Sequence, residues 1–144
     1  MILQLDDWTF DIDIEKTQSY STLEQAEHCN CAYCRNFYAG IDEKYPLLRP
    51  FLAKFGIHVD APDQMSPLDI SSRQIIYDPM YHVFGRILHQ GSQTVIRVGI
   101  EIEPMAIDED RFCLQIYDLQ LPWLLEELYE TGISDATAWN SPLQ

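Results

Sequence analysis

Thr94-Val95-Ile96-Arg97-Val98-Gly99-Ile100-Glu101-Ile102 decides the fold. Thr94, Ile96, Val98, Ile100 and Ile102 alternate with Val95, Arg97, Gly99 and Glu101. A period of two is the signature of a strand with one buried face. Downstream, Phe112, Leu114 and Ile116 alternate with Cys113, Gln115 and Tyr117 in the same way. Upstream, Tyr81–Leu88 is bounded by Pro79 and Gln90-Gly91, and Ile75–Asp78 forms a shorter run. Gly91-Ser92 marks a hairpin, and Pro104 through Asp110 reads as an acidic connection.

The first half of the chain opens with another alternation. Trp8, Phe10, Ile12 and Ile14 interleave with Thr9, Asp11, Asp13 and Glu15, which predicts a strand over 8–15. On that register Ile12→Ala costs about 2–5 kcal/mol and Asp13→Ala under about 0.5. Helical signals follow. Ser21 and Glu24 have the spacing of a capping box and predict a short helix over 22–28. Asn30 is a good cap for a second helix, whose apolar stripe is Cys34, Phe37, Tyr38, Ile41 and Tyr45 and whose end is set by Pro46. Leu48, Phe51, Leu52 and Phe55 give a third, stopped by Gly56, with Pro50 delaying or bending its start. Residues 56–74 carry no period and read as a loop. Pro122 opens a last helix through Trp123, Leu124, Glu127 and Leu128 to Gly132, and 134–144 form a loose tail. The resulting expectation is an α+β chain, residues 1–144 in one domain, with a single antiparallel sheet of about five strands and helices packed on one face.

Composition narrows the function classes. The chain is 47% hydrophobic and 12% aromatic, enough for a core, yet its formal net charge is −14. Such a surface repels polyanions, so nucleic acid and anionic membrane are excluded as expected partners, while a basic protein partner or a second copy of the chain is allowed. Met1-Ile2-Leu3-Gln4-Leu5-Asp6-Asp7 has neither a basic leader nor a long apolar run, and no stretch has the length of a membrane helix, so a cytoplasmic location is expected. In that compartment the four cysteines are reduced, metal-bound or buried rather than disulfide-bonded.

Three of them fall within six residues, Cys29, Cys31 and Cys34, with His28 just before. Thiolates and imidazoles are the donors of tetrahedral zinc, so the loop and helix start can offer three ligands. The fourth must come from elsewhere: His82 is the assigned candidate, with Cys113, His89 and His58 as alternatives. A shared metal requires the sulfurs to converge to about 4 Å. Cys31 and Cys34 also form a Cys-x-x-Cys pair at a helix start, where the helix N-terminus favours thiolate and redox chemistry. Packing alone explains Cys34 and Cys113, but Cys29 and Cys31 less well. His82 beside Tyr81 reads first as a half-buried strand histidine satisfied by a backbone carbonyl, and after that as acid, base or ligand. Asp108-Glu109-Asp110 lacks the spacing and Gly of a calcium loop, and Trp123 reads as a core anchor. No P-loop, dinucleotide fingerprint, Gly-x-Ser-x-Gly or His-Glu-x-x-His motif occurs.

The segments Cys29-Asn30-Cys31-Ala32-Tyr33-Cys34-Arg35-Asn36-Phe37, Tyr81-His82-Val83-Phe84-Gly85-Arg86-Ile87-Leu88 and Leu121-Pro122-Trp123-Leu124-Leu125-Glu126-Glu127 together resemble a bacterial protein family with no assigned activity. The family pattern often has Gly-Trp before Tyr-His, where this chain has Pro79-Met80. The resemblance implies relatedness and no function. The expectation is therefore a binding or interaction module, leaning away from an enzyme and stabilised by zinc or another metal at the cysteine loop. The alternative is a thiol-dependent redox enzyme using Cys31 and Cys34.

The acidic excess generates a first test. The chain is expected to show no measurable binding to duplex DNA at physiological salt. Micromolar binding in a fluorescence-anisotropy titration contradicts it.

Overall fold

The computed structural model describes residues 1–71, 73–97 and 99–125. It contains β1 (Ile2–Leu5), β2 (Trp8–Ile12), α1 (Ile14–Ala26), α2 (Ala32–Lys44), α3 (Leu48–Ala53), β3 (Leu68–Ser71), β4 (Gln74–Tyr77), β5 (Met80–His89), β6 (Val95–Arg97), β7 (Ile100–Ala106), β8 (Arg111–Tyr117) and β9 (Leu119–Pro122). These form two antiparallel sheets rather than one: six strands in the order β1-β2-β5-β8-β7-β6, and three in the order β3-β4-β9.

The division into two sheets has a local cause. The chain leaves one sheet for the other at Asp78-Pro79, between β4 and β5, and at Asp118, between β8 and β9. Asp118 adopts φ +62°, which bends the chain after Tyr117. Its N–H donates to Asp78 Oδ1 at 2.8 Å, and Ile116 N–H donates to the Pro79 carbonyl at 2.9 Å, so the two crossings brace each other. Acidic side chains serve such corners because they accept from bare backbone N–H groups.

One hydrophobic core serves both sheets. Trp8, Phe10 and Ile12 from β2, Tyr81 and Val83 from β5, and Phe112, Leu114 and Ile116 from β8 are all buried. Phe55, just past α3, packs edge-on against Phe10, while Phe37 of α2 packs against Tyr77 of β4. Thus α3 leans on the large sheet and α2 on the small one, where a single helical layer was expected.

β5 changes neighbours along its length. Met80–Phe84 pair with β8, and Gly85–His89 with β2. The handover requires glycine: Gly85 has φ +148°, and a Cβ there would lie 2.2 Å from the Asp11 carbonyl oxygen. Among the described residues no strand lies beside the far side of Met80–Phe84, so its backbone groups find other partners. Met80 exchanges bonds with Asp63 and Gln64, and His82 N–H donates to Asp63 Oδ2 at 2.8 Å. Phe84 N–H donates to Thr17 Oγ1 at 2.9 Å, and the Phe84 carbonyl accepts from Asp13 N–H. That leaves α1 lying beside β5 where β2 has stopped.

Several sequence expectations shift accordingly. The strand expected over 8–15 ends at Ile12, because Asp13 caps α1 by accepting from Lys16 N–H at 3.0 Å. Ser21 is not a cap; it lies buried in mid-helix and accepts from His58 N–H. Cys31 rather than Asn30 occupies the N-cap of α2. The stretch expected as loop contributes β3 and buries Ile57, Val59, Ala61 and Met65. The expected strand over 94–102 is a hairpin: Arg97 pairs with Ile100, with Gly99 at φ +79° in the turn, and Val98 lies outside the described residues. Gly91-Ser92 joins no hairpin, since β5 and β6 are not neighbours; Ser92 instead bonds Asp7. Pro104 sits inside β7, opposite Leu114 and past the end of β6, where its missing N–H is tolerated. Pro122 closes β9 instead of opening a helix, and residues 123–125 are not helical; the rest of that expected helix and the tail lie outside the described residues, as does Ser72. No helix among the described residues is long and apolar enough to cross a membrane.

The cap raises the expected effect at Asp13. Ile12→Ala should cost about 2–5 kcal/mol and Asp13→Ala about 0.5–2 kcal/mol through the lost helix cap. Urea denaturation of both variants checks this, and a larger loss for Asp13→Ala contradicts the assignment.

Candidate metal centre

The cysteine loop joins two helices held by different sheets. α1 ends at Ala26, where the Glu27 N–H turns back to the Glu24 and Gln25 carbonyls. His28, Cys29 and Asn30 then lead to Cys31, the N-cap of α2, with φ −67° and ψ +164°. A capping position usually carries a side-chain oxygen for the first helical N–H groups. Here a thiol stands in its place and makes no capping bond.

Two side chains of α2 shape this loop. Arg35 Nε donates to the Asn30 carbonyl at 2.8 Å, and Tyr38 Oη donates to the Cys29 carbonyl at 3.0 Å. Both reach back over the helix start, as long side chains on a helix do. The loop carbonyls are therefore held, and the sulfurs lie close together. The Sγ atoms of Cys29, Cys31 and Cys34 all lie within 4.8 Å of one another.

The three thiols are not equivalent. Cys29 and Cys31 are exposed and Cys34 is buried. The Cys31 N–H, 3.4 Å from Cys29 Sγ, holds the Cys29 thiol below its ordinary pKa. Burial pushes the Cys34 thiol well up, and the neighbouring Cys31 sulfur adds to the effect. Burial also raises the Tyr38 hydroxyl, with Cys34 as the next cause.

A buried amide anchors the helix that carries Cys34. Asn36 is fully buried. Its Nδ2 donates to Tyr77 Oη at 3.3 Å and to the Pro122 carbonyl at 3.1 Å, and its Oδ1 accepts from Leu124 N–H at 2.7 Å. Tyr77 Oη in turn donates to the Tyr33 carbonyl in the first turn of α2. Asparagine inside a helix is unfavourable unless its amide finds partners elsewhere. That unusual placement was the available signal for Asn36. Tyr38 gave none, because it read as part of the apolar stripe.

The other sequence candidates take separate positions. His82 stacks on Tyr20, with ring centroids 6.0 Å apart, and its Nδ1 is 3.6 Å from Asp63 Oδ1. Tyr20 Oη makes a short hydrogen bond to the same carboxylate. Burial first, then this bond, raises the Tyr20 hydroxyl. His58 Nε2 lies 3.1 Å from Thr22 Oγ1, and His89 ends β5 opposite Thr9. Cys113 is buried across from His82, its thiol raised by burial and then by Asp63. Among the described residues, the set gathered within 4.8 Å is therefore Cys29, Cys31 and Cys34. No protein-family model, curated protein or solved structure matches this chain.

Exposure and thiol chemistry together give an order of reactivity for the metal-free chain. Iodoacetamide at neutral pH should modify Cys29 fastest, with Cys34 and Cys113 protected until unfolding. Peptide mapping by mass spectrometry reads the order directly; native-state labelling of Cys113 as fast as that of Cys29 contradicts it.

Proposed function

We propose that this chain is a metal-stabilised binding module in which zinc on Cys29, Cys31 and Cys34 clamps α1 to α2. The observation that carries the reading is the convergence of three sulfurs to within 4.8 Å. Zinc–sulfur bonds of about 2.3 Å in tetrahedral geometry put sulfurs about 3.8 Å apart, so little closure is needed. A cation also reverses the local proton chemistry: burial disfavours a bare Cys34 thiolate, whereas a bound metal holds it deprotonated. Three thiolates on a divalent ion leave a net anion at the uncapped start of α2, where the helix dipole favours it.

The partner class that the surface favours is a protein with a basic face, given the net charge of −14. A reducing compartment such as the cytoplasm suits four free thiols. The redox reading draws on Cys31 at the N-cap of α2. It is the weaker one, because the thiol held low is Cys29, which lies outside the Cys31–Cys34 pair, while Cys34 is buried with a raised thiol.

Protein purified without chelator or immobilised nickel should carry about one metal ion per chain, consistent with a single cluster. With free zinc about a hundredfold above Kd, binding contributes about 2.7 kcal/mol to stability. Changing Cys29, Cys31 or Cys34 singly to Ser should abolish that gain and release the metal. Loss of stability at Cys34→Ser alone, with silent Cys29→Ser and Cys31→Ser, means packing only and overturns the reading.

A further inference from the structure

We propose that His28 Nδ1 is the fourth ligand, which makes the centre a closed site of three cysteines and one histidine. The inference rests on the metal reading above and names the group that completes it. Its basis is an orphaned atom: His28 Nδ1 is buried and has no hydrogen-bond partner. A buried polar nitrogen left unsatisfied loses the hydrogen bonds it would make in water and gains nothing in return. Coordination supplies the missing partner, since a neutral imidazole nitrogen is a standard zinc donor.

The placement of the ring supports this. His28 precedes Cys29 in the chain, and its ring packs against Tyr38 with centroids 4.3 Å apart and planes inclined by 40°. The same Tyr38 holds the Cys29 carbonyl through its hydroxyl. One side chain of α2 therefore fixes both the imidazole and the backbone of the adjacent cysteine. His28 stands outside the set of atoms gathered within 4.8 Å, so coordination requires the imidazole and the sulfurs to close together. The other histidines lie away from the sulfurs: His58 meets Thr22, His89 ends β5 opposite Thr9, and His82, whose Nδ1 is likewise buried and without a hydrogen-bond partner, is stacked on Tyr20 and tied to Asp63 through its backbone, whereas His28 directly precedes Cys29. Residues 126–144 contain neither cysteine nor histidine.

Cobalt(II) added to the metal-free full-length chain tests the assignment. The natural protein should develop a near-ultraviolet sulfur-to-cobalt charge-transfer band and the visible d–d bands of a tetrahedral centre. His28→Gln should keep the charge-transfer band, because three thiolates remain. It should shift the d–d bands and weaken cobalt binding by about tenfold or more. Added imidazole should restore the original d–d bands in this variant and leave the natural protein unchanged. His82→Gln should match the natural protein. Unchanged d–d bands and affinity in His28→Gln overturn the proposal, as does a shift produced by His82→Gln in its place. Absence of the charge-transfer band from the natural protein overturns the thiolate centre itself and the histidine with it.

Discussion

A strand whose two halves pair on opposite sides leaves backbone groups bare on the side its neighbour has vacated. β5 is such a strand, and the first half of the chain is arranged around the need to satisfy it. Thr17 and Asp63 are polar side chains that a core would otherwise exclude, yet they take the N–H groups of Phe84 and His82. For Thr17 to reach Phe84, α1 must begin as soon as β2 ends. That places Asp13 at once as cap of the helix and donor to the Phe84 carbonyl. For Asp63 to reach His82, the segment after α3 must fold over the sheet, which buries Ile57, Val59 and Met65 on its way. Leaving a buried backbone group unpaired costs about as much as a lost hydrogen bond or more, so these placements are tightly coupled.

The candidate centre inherits its geometry from that arrangement. α1 is fastened to the large sheet through Thr17 and α2 to the small sheet through Asn36, and the cysteine loop is the short connection between them. Each helix brings its own constraint, so the loop has little freedom. Arg35 and Tyr38 remove more of it by taking the Asn30 and Cys29 carbonyls. A metal bound here adds a bridge between two already positioned elements and does not have to organise them. Pre-organisation of this kind lowers the entropy lost on binding.

Much of this was legible from periodicity. The alternation in β2 and β8 identified those strands and their buried faces, flanking Pro79 and Gln90-Gly91 bounded β5, and the stripe of α2 matched its packed side. Cysteine spacing located the cluster before any geometry was known. What periodicity could not carry was sheet membership. The alternation through 94–102 is equally compatible with one strand or two, and the choice falls on Gly99 at φ +79°, a conformation that alternation does not encode. Asp78 read as the end of the short run from Ile75 and Asp118 as nothing in particular, yet they mark the crossings between sheets. Asp13 satisfied the polar phase of a strand and the preferences of a helix cap at once; only the end of β2 separates the two. At the site, spacing gave the thiols but not the residues that hold them, because a tyrosine reaching back to a carbonyl looks like any other member of an apolar stripe.

The pairing of β2 with β5 also sets an order of assembly. β6, β7 and β8 follow one another through short turns, so their contacts close small loops and form early. Phe10 meets Ile87 only after the chain between them has been drawn in, a long closure that delays the docking of the N-terminal hairpin and α1 onto β5. On this order the thiols between α1 and α2 are expected to stay in open solvent while the C-terminal strands pair. The window in which oxidants reach them is set by folding rate, and a cell that makes this protein has reason to keep its thiols reduced during synthesis as well as afterwards.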